Sequence, residues 1–229
     1  MRRTIAVVVL SALAALSNRA SADGIDVRLG AFQPRGDSNL FEDDASLYTR
    51  NGAELKDRDW LGAFGGIAYN AKVARNVELS FHLDASGRTI HTAYRDYVTE
   101  SGRDIQQSLR LNVVPLGLSL RLVPTGRQVR FAPFVAAGAD LVFYNYEEFG
   151  DFIDFASPDQ PVFTDSFKSE GVTPGFHVAT GVRFALTDDV RLVGEYRYQF
   201  AEDDMGDDFG GNRIDLTGSS VTLGINVRF

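Results

Sequence analysis

The chain has 229 residues, a net charge of −8, no cysteine and three histidines, and its pI is near 4.9. The length fits one all-β domain or one to two average globular domains. Lack of thiols excludes disulfides, thiolate zinc and iron–sulfur sites and cysteine nucleophiles, and the acidic balance argues against bulk nucleic-acid binding, since no basic surplus displaces counterions from phosphate.

Residues 1–22 read as an export signal. Met1-Arg2-Arg3 is a short positive start, Ile5 to Leu16 is an unbroken run of apolar and small residues, and Ala20-Ser21-Ala22 suits cleavage after Ala22. The run is shorter than the roughly 20 residues a membrane helix needs. The wider twin-arginine motif is missing, and without a cysteine a lipoprotein is excluded. Residues 23–229 then form one domain with a net charge of −11.

That domain reads as period-two strands. Ile25, Val27, Leu29 and Ala31 oppose Asp26, Arg28 and Gly30. Trp60 to Tyr69 is apolar on both faces, with Gly62, Gly65 and Gly66 interspersed. Val77 to Gly87 is the clearest strand: Val77, Leu79, Phe81, Leu83 and Ala85 share one face, and Glu78, Ser80, His82, Asp84 and Ser86 the other. Over 105–122 the apolar parity flips, from Leu109, Leu111 and Val113 to Leu116, Leu118, Leu120 and Leu122. A one-residue slip reverses every facing, and a strand-interior proline favours a bulge. One long strand bulged at Val114-Pro115 is therefore expected, a hairpin there being the alternative. Phe131 to Tyr144, Phe176 to Leu186, Arg191 to Phe200 and Val221 to Phe229 alternate in the same way and complete eight strands.

The connections alternate long and short: 34–58, 70–76, 88–104, 123–128, 145–172, 187–189 and 202–212. The four longer ones, with Asp59, carry −14, so the rest of the mature chain is +3. Short periplasmic turns, longer and acidic extracellular loops and an even strand count describe a transmembrane barrel. A soluble barrel shows the same alternation with its apolar face inside. There the Leu, Phe and Tyr rows must crowd into the narrow interior of eight strands, whereas facing lipid they need no mutual packing. About eleven residues at ~3.3 Å, tilted ~45°, span roughly the 25 Å apolar band. Trp60, Tyr69, Phe143, Tyr144, Tyr198, Phe200 and Phe229 sit near strand ends, as interfacial girdles do. The expectation is an all-β, eight-stranded, antiparallel, up-and-down transmembrane β-barrel in the outer membrane.

Three segments carry a family resemblance. VTLGINVRF, ending on Phe229, resembles the C-terminal signature of bacterial outer-membrane barrels that the barrel-assembly machinery reads. PFVAAGADLVFYNY and GEYRYQF resemble strands of small barrels of the OmpA/OmpX/OmpW type. The resemblance covers roughly 23–229 and implies class and location without an activity, since such barrels include anchors, adhesins, small-molecule channels and lipid-modifying enzymes. The chain stops at Phe229 with no peptidoglycan-binding domain after it, which speaks against that anchor role. Lipopolysaccharide, outer-membrane lipid and the assembly machinery are the implied partners.

Candidate chemistry is sparse. Glu78, Asp84, Arg110, Arg121, Asp140, Arg183, Glu195 and Arg197 are the expected lumen charges, as a salt-bridge plug or, alternatively, the lining of a narrow path for small solutes. Ser80, His82 and Asp84 supply the residue types of a base-activated nucleophile. An outer-membrane lipid A deacylase family uses His-x-Ser on a strand, but the order is reversed here and the set faces the lumen. Asp203, Asp204, Asp207 and Asp208 are oxygen donors of the kind Ca²⁺ favours, without EF-hand spacing; a solubilising acidic loop is the plainer reading. The aromatics of 145–172 either extend the sheet, form a lid or recognise a partner, and 34–58 is the other candidate partner loop. The expectation is a monomer with no catalytic residues, cofactor or nucleic-acid partner: a surface-exposed structural or interaction protein, with a narrow channel or binder for small, including hydrophobic, solutes as the alternative and a lipid-directed hydrolase third.

Overall fold

A computed structural model describes residues 22–35, 47–50, 52–126 and 129–229. The expected export signal lies outside these residues, apart from the backbone of Ala22. In chain order the strands are β1 (Ala22–Pro34), β2 (Tyr48–Arg50), β3 (Ala53–Glu54), β4 (Gly62–Ala74), β5 (Val77–Val98), β6 (Asp104–Leu122), β7 (Phe131–Ile153), β8 (Val162–Ala185), β9 (Val190–Phe200), β10 (Glu202–Asp204), β11 (Arg213–Asp215) and β12 (Gly218–Val227), with short 3₁₀ turns at Asp57–Trp60 and Asp207–Phe209. Among the described residues no helix is long and apolar enough to cross a membrane.

Eight strands close a ring in the order β1-β4-β5-β6-β7-β8-β9-β12. All pairs are antiparallel, and β12 returns to β1 from Ile25 opposite Val227 to Pro34 opposite Gly218. Closure removes every edge, which only a closed barrel achieves in lipid. The ring is lopsided. Strands β5 to β8 have 22, 19, 23 and 24 residues, whereas β1, β4, β9 and β12 have 13, 13, 11 and 10. The tall strands are about twice the length that crossing requires. Much of the expected loops 88–104 and 145–172 is therefore strand: the sheet continues beyond the membrane because β7 and β8 stay paired out to Ile153 and Val162. Over the low wall, β2 adds to β5 at Tyr48 opposite Tyr94, and the β10–β11 hairpin stands between β9 and β12.

The expected bulge at Val114-Pro115 does not occur. β6 runs against β7 in one register, with Val114 opposite Phe143 and Pro115 opposite Val142. Against β5 the ladder lapses beside Pro115, which has no N–H to donate, and resumes unshifted from Leu83–Leu116 to Ser86–Val113. Odd-numbered side chains thus face inward along the whole of β6: Leu109, Leu111 and Val113 above, Ser119 and Arg121 below. The parity flip marks a change of surroundings on both faces. Leu118, Leu120 and Leu122 point outward below that level, and Asn112, Arg110 and Ser108 above it.

A belt of outward apolar side chains circles the lower half. Ile25, Val27 and Leu29 of β1, Ile67 of β4, Leu83 of β5, Val135 and Leu141 of β7, Phe176 and Val178 of β8, Leu192 of β9 and Leu223 and Ile225 of β12 are all exposed; Leu29 and Leu223 are more than 70 % accessible. Soluble monomers do not expose a continuous apolar surface of this extent; in a bilayer it faces its own kind.

Candidate functional site

Among the described residues, charges from many strands converge in the interior. Asp26 and Arg28 (β1), Glu78, His82 and Asp84 (β5), Arg121 (β6), Asp140 (β7), His177 and Arg183 (β8) and Glu195 and Arg197 (β9) are all buried. Each lies on the strand face opposite the belt, so the period-two alternation that turns leucines to lipid turns these inward.

Glu195 is the hub of the network. Its carboxylate accepts from Arg28 at 2.7 Å, Arg121 at 3.0 Å and Arg197 at 3.1 Å. Asp84 accepts from Arg28 and Arg197, each at 2.7 Å. Arg183 Nη1 donates to both oxygens of Glu78, at 2.7 and 2.8 Å, and Arg121 reaches Asp26 at 3.2 Å. Two guanidiniums also lie over the Phe134 ring, Arg121 at 4.2 Å and Arg183 at 5.6 Å from its centre. Buried charges persist only when paired in this way.

Seven of the eight expected lumen charges face the interior. Arg110 does not: it lies half-buried on the outer face above the belt, bonded to Glu147 at 2.9 Å and 4.7 Å from the Phe149 ring centre. The reason is the unbroken register of β6, which puts every even-numbered residue outside. Asp26, Arg28 and His177 belong to the cluster and were missed. The facing of Asp26 and Arg28 was visible in their alternation, but no sequence signal separates a lumen face from any other polar face on a short strand.

Above the plug the interior is apolar. Ile90, Leu109, Leu111, Val113, Val142, Tyr144 and Tyr146 line it, and Tyr48, Leu55, Trp60, Met205, Ile214 and Leu216 descend into it from the segments over the low wall. Trp60 leans on Tyr146 with ring centres 6.2 Å apart, and Tyr146 on Phe209 at 5.5 Å. The lid is thus built by 47–50, 52–61 and 201–217, while 145–172 mainly extends the sheet. Glu148 is buried beside this core with the Tyr146 hydroxyl 3.1 Å away; burial pushes its carboxyl up to about 7. Between plug and core, beside Phe32, Phe64, Pro115 and Arg197, the void measures about 10 Å³, at most one water's worth.

Ser80, His82 and Asp84 share the lumen face, but His82 Nε2 bonds Asp140 at 3.0 Å and stands 3.9 Å from Asp84. Of the acidic loop, Asp204 lies 3.9 Å from Arg213, and Asp203 is turned toward Tyr144. Neighbours on β10, these two point to different partners. Asp208 is exposed, and the side chain of Asp207 is outside the described residues.

A closed eight-stranded barrel with an apolar belt outside and a salt-bridged interior is a small transmembrane β-barrel of the outer-membrane type. The chain belongs to the outer membrane protein beta-barrel domain family, whose model matches residues 4–229. Its fold is similar to Neisserial surface protein A, at 14 % identity and a TM-score of 0.50 over 91 % of this chain and 99 % of that one. It is also similar to OprG from Pseudomonas aeruginosa, at 15 % identity and a TM-score of 0.51 over 92 % and 97 %. Comparison with curated proteins finds no match. The protein resides in the outer membrane.

Proposed function

We propose that this barrel is a non-enzymatic, surface-exposed structural or interaction protein, whose tall extracellular wall and acidic loops are its working surface. The observation that carries this reading is the filled interior. A salt-bridged lower half and an apolar upper half meet across a void too small for a solute. A solute path needs a lumen wider than that, so the same observation weighs against the channel. The hydrolase is disfavoured because His82 bonds Asp140 through Nε2 and its Nδ1 has no hydrogen-bond partner, so neither ring nitrogen is bonded to Ser80.

The working surface is the extension of β7 and β8 with its neighbours. Phe155, Val162 and Phe163 are exposed near its tip, amid seven acids and one base over 145–172. Apolar contact rimmed by carboxylates suits a partner with a basic rim, and 34–58 is the second contact region. The barrel works as a monomer, its belt in lipid and lipopolysaccharide. Phe229, exposed beyond β12, serves the assembly machinery, and the signal is removed after Ala22.

Planar-bilayer recording of the refolded protein tests this reading. The expected result is no stepwise current above background. Reproducible unitary conductance would sink it in favour of the channel, and altered lipid A masses on expression in a heterologous host would replace it with the hydrolase.

A further inference from the structure

Among the described residues, three side chains in the plug adjoin its arginine network only where His82 Nε2 stands 3.9 Å from Asp84. His82 of β5, Asp140 of β7 and His177 of β8 are all buried. Asp140 gives one oxygen to each ring, Oδ1 to His82 Nε2 at 3.0 Å and Oδ2 to His177 Nδ1 at 2.7 Å. The rings meet edge to face with centres 5.1 Å apart. One nitrogen from each histidine and a carboxylate oxygen lie within 4.8 Å of one another.

Charge distinguishes this corner from the rest of the plug. Asp26, Glu78, Asp84 and Glu195 each lie against at least one guanidinium. Among the described residues Asp140 touches none, only the two imidazoles. A buried carboxylate needs a compensating cation, and here the protein supplies none of fixed charge. The backbone is also cut away around it. A Cβ on Gly117 would overlap Asp140 Oδ1 and come within 2.6 Å of the His82 ring, and one on Gly138 would lie 2.7 Å from His177 Cε1. Glycine weakens a strand interior and often marks a close approach; these two leave the room in which the three side chains meet.

We propose that His82, Asp140 and His177 form a binding site for a divalent transition-metal ion, Zn²⁺ foremost. Two imidazoles and one carboxylate suit zinc and its first-row neighbours better than Ca²⁺ or Mg²⁺, which prefer all-oxygen shells. Three protein ligands is the count of an open zinc site. Zinc–ligand bonds of about 2.0–2.1 Å place tetrahedral donors roughly 3.3 Å apart; the three donors lie within 4.8 Å of one another, so the rings turn to draw the widest pair together as the ion enters. The ion supplies the charge that Asp140 lacks and ties β5, β7 and β8 together.

The second shell sets the character of the site. Once its Nε2 ligates, His82 must carry its proton on Nδ1, which is buried and has no hydrogen-bond partner. Ligating histidines normally donate that proton, and losing the partner costs about 10–100-fold in affinity. The site accordingly binds the ion more weakly than one whose histidines are all supported. Because the interior is filled, the ion is loaded as the barrel folds.

The experiment refolds the chain without residues 1–22 into detergent with Co²⁺ or Zn²⁺ present, then desalts it. The expected result is one metal per chain by elemental analysis and the visible absorption of low-coordinate Co²⁺ with nitrogen and oxygen ligands. Asp140→Asn and His177→Gln should lose the metal while retaining the heat-dependent gel shift of a folded barrel, and His91→Gln, on the exposed outer face, should keep it. Wild-type protein that refolds without bound metal overturns the proposal, as does equal loading of wild type and Asp140→Asn. Should the variants fail to fold, the wild type decides alone: Co²⁺-shifted ring-proton resonances from two imidazoles support the site, and their absence overturns it.

Discussion

The lower and upper halves of this barrel solve opposite problems with the same strands. Below the level of Val113 and Val142 the outside is lipid and the inside holds paired charges. Above it the outside is water and the inside is a core of Ile90, Leu109, Leu111 and Tyr146. A strand crossing that level keeps its facing and reverses its chemistry, as β6 does between Arg121 and Leu109. Period-two alternation therefore reports which residues share a face, whereas the solvent on each side decides which residue types occupy it.

The sharpest break in the lower half is Glu195→Ala. It leaves Arg28, Arg121 and Arg197 facing one another with a shared partner gone. Removing one member of a buried ion cluster costs about 3–5 kcal/mol, to be read as a lowered urea midpoint in detergent. A midpoint unchanged from wild type would mean that the plug contributes nothing to the lower half.

Leu120 and Arg110 lie on the same outer face of β6, on opposite sides of the boundary. Leu120→Arg puts a charge into the belt and is expected to cost about 2–4 kcal/mol. Arg110→Leu removes a half-exposed pair with Glu147 and should change stability by under about 1 kcal/mol. Equal effects in the same unfolding assay would place the membrane boundary elsewhere.

Glu148 probes the upper half through pH. Its folded carboxyl titrates near 7 against an ordinary 4.5, so the folded state holds the proton more tightly than the unfolded chain. Its contribution to stability is fully present below pH 4.5 and is lost as pH rises through 7, by up to about 3 kcal/mol. Glu148→Gln should flatten the urea midpoint between pH 5 and 8; a slope unchanged by the substitution would show that Glu148 is not desolvated. The smallest global change belongs to Trp60→Ala. The gel shift should persist while limited proteolysis near 47–61 speeds up, because the lid detaches without opening the lower half. A loss of gel shift instead would show that the two halves fold as one unit.

Much of the fold was legible in the chain. Eight strands, antiparallel order and alternate long and short connections follow from alternation and turn residues, and seven of the lumen charges from their position opposite apolar rows. The bulge at Val114-Pro115 was the instructive error. It assumed that the apolar face is a constant, which holds for a sheet between two uniform solvents and fails for one that passes from lipid into water. The length of β6 was read correctly, but that of β5, β7 and β8 was missed for the same reason, since polar outward residues such as Thr89 and Lys168 read as loop.

What the sequence determined by itself is local: which residues alternate, where turns interrupt them, and that twelve-residue and shorter apolar stretches cannot cross as helices. Only the closed ring decided which charges meet. Arg28 and Glu195 are 167 residues apart and bond at 2.7 Å, and His82, Asp140 and His177 come from three strands. No spacing rule predicts such contacts, because they depend on strand order, stagger and the narrow bore of eight strands, which exist only once the barrel has closed.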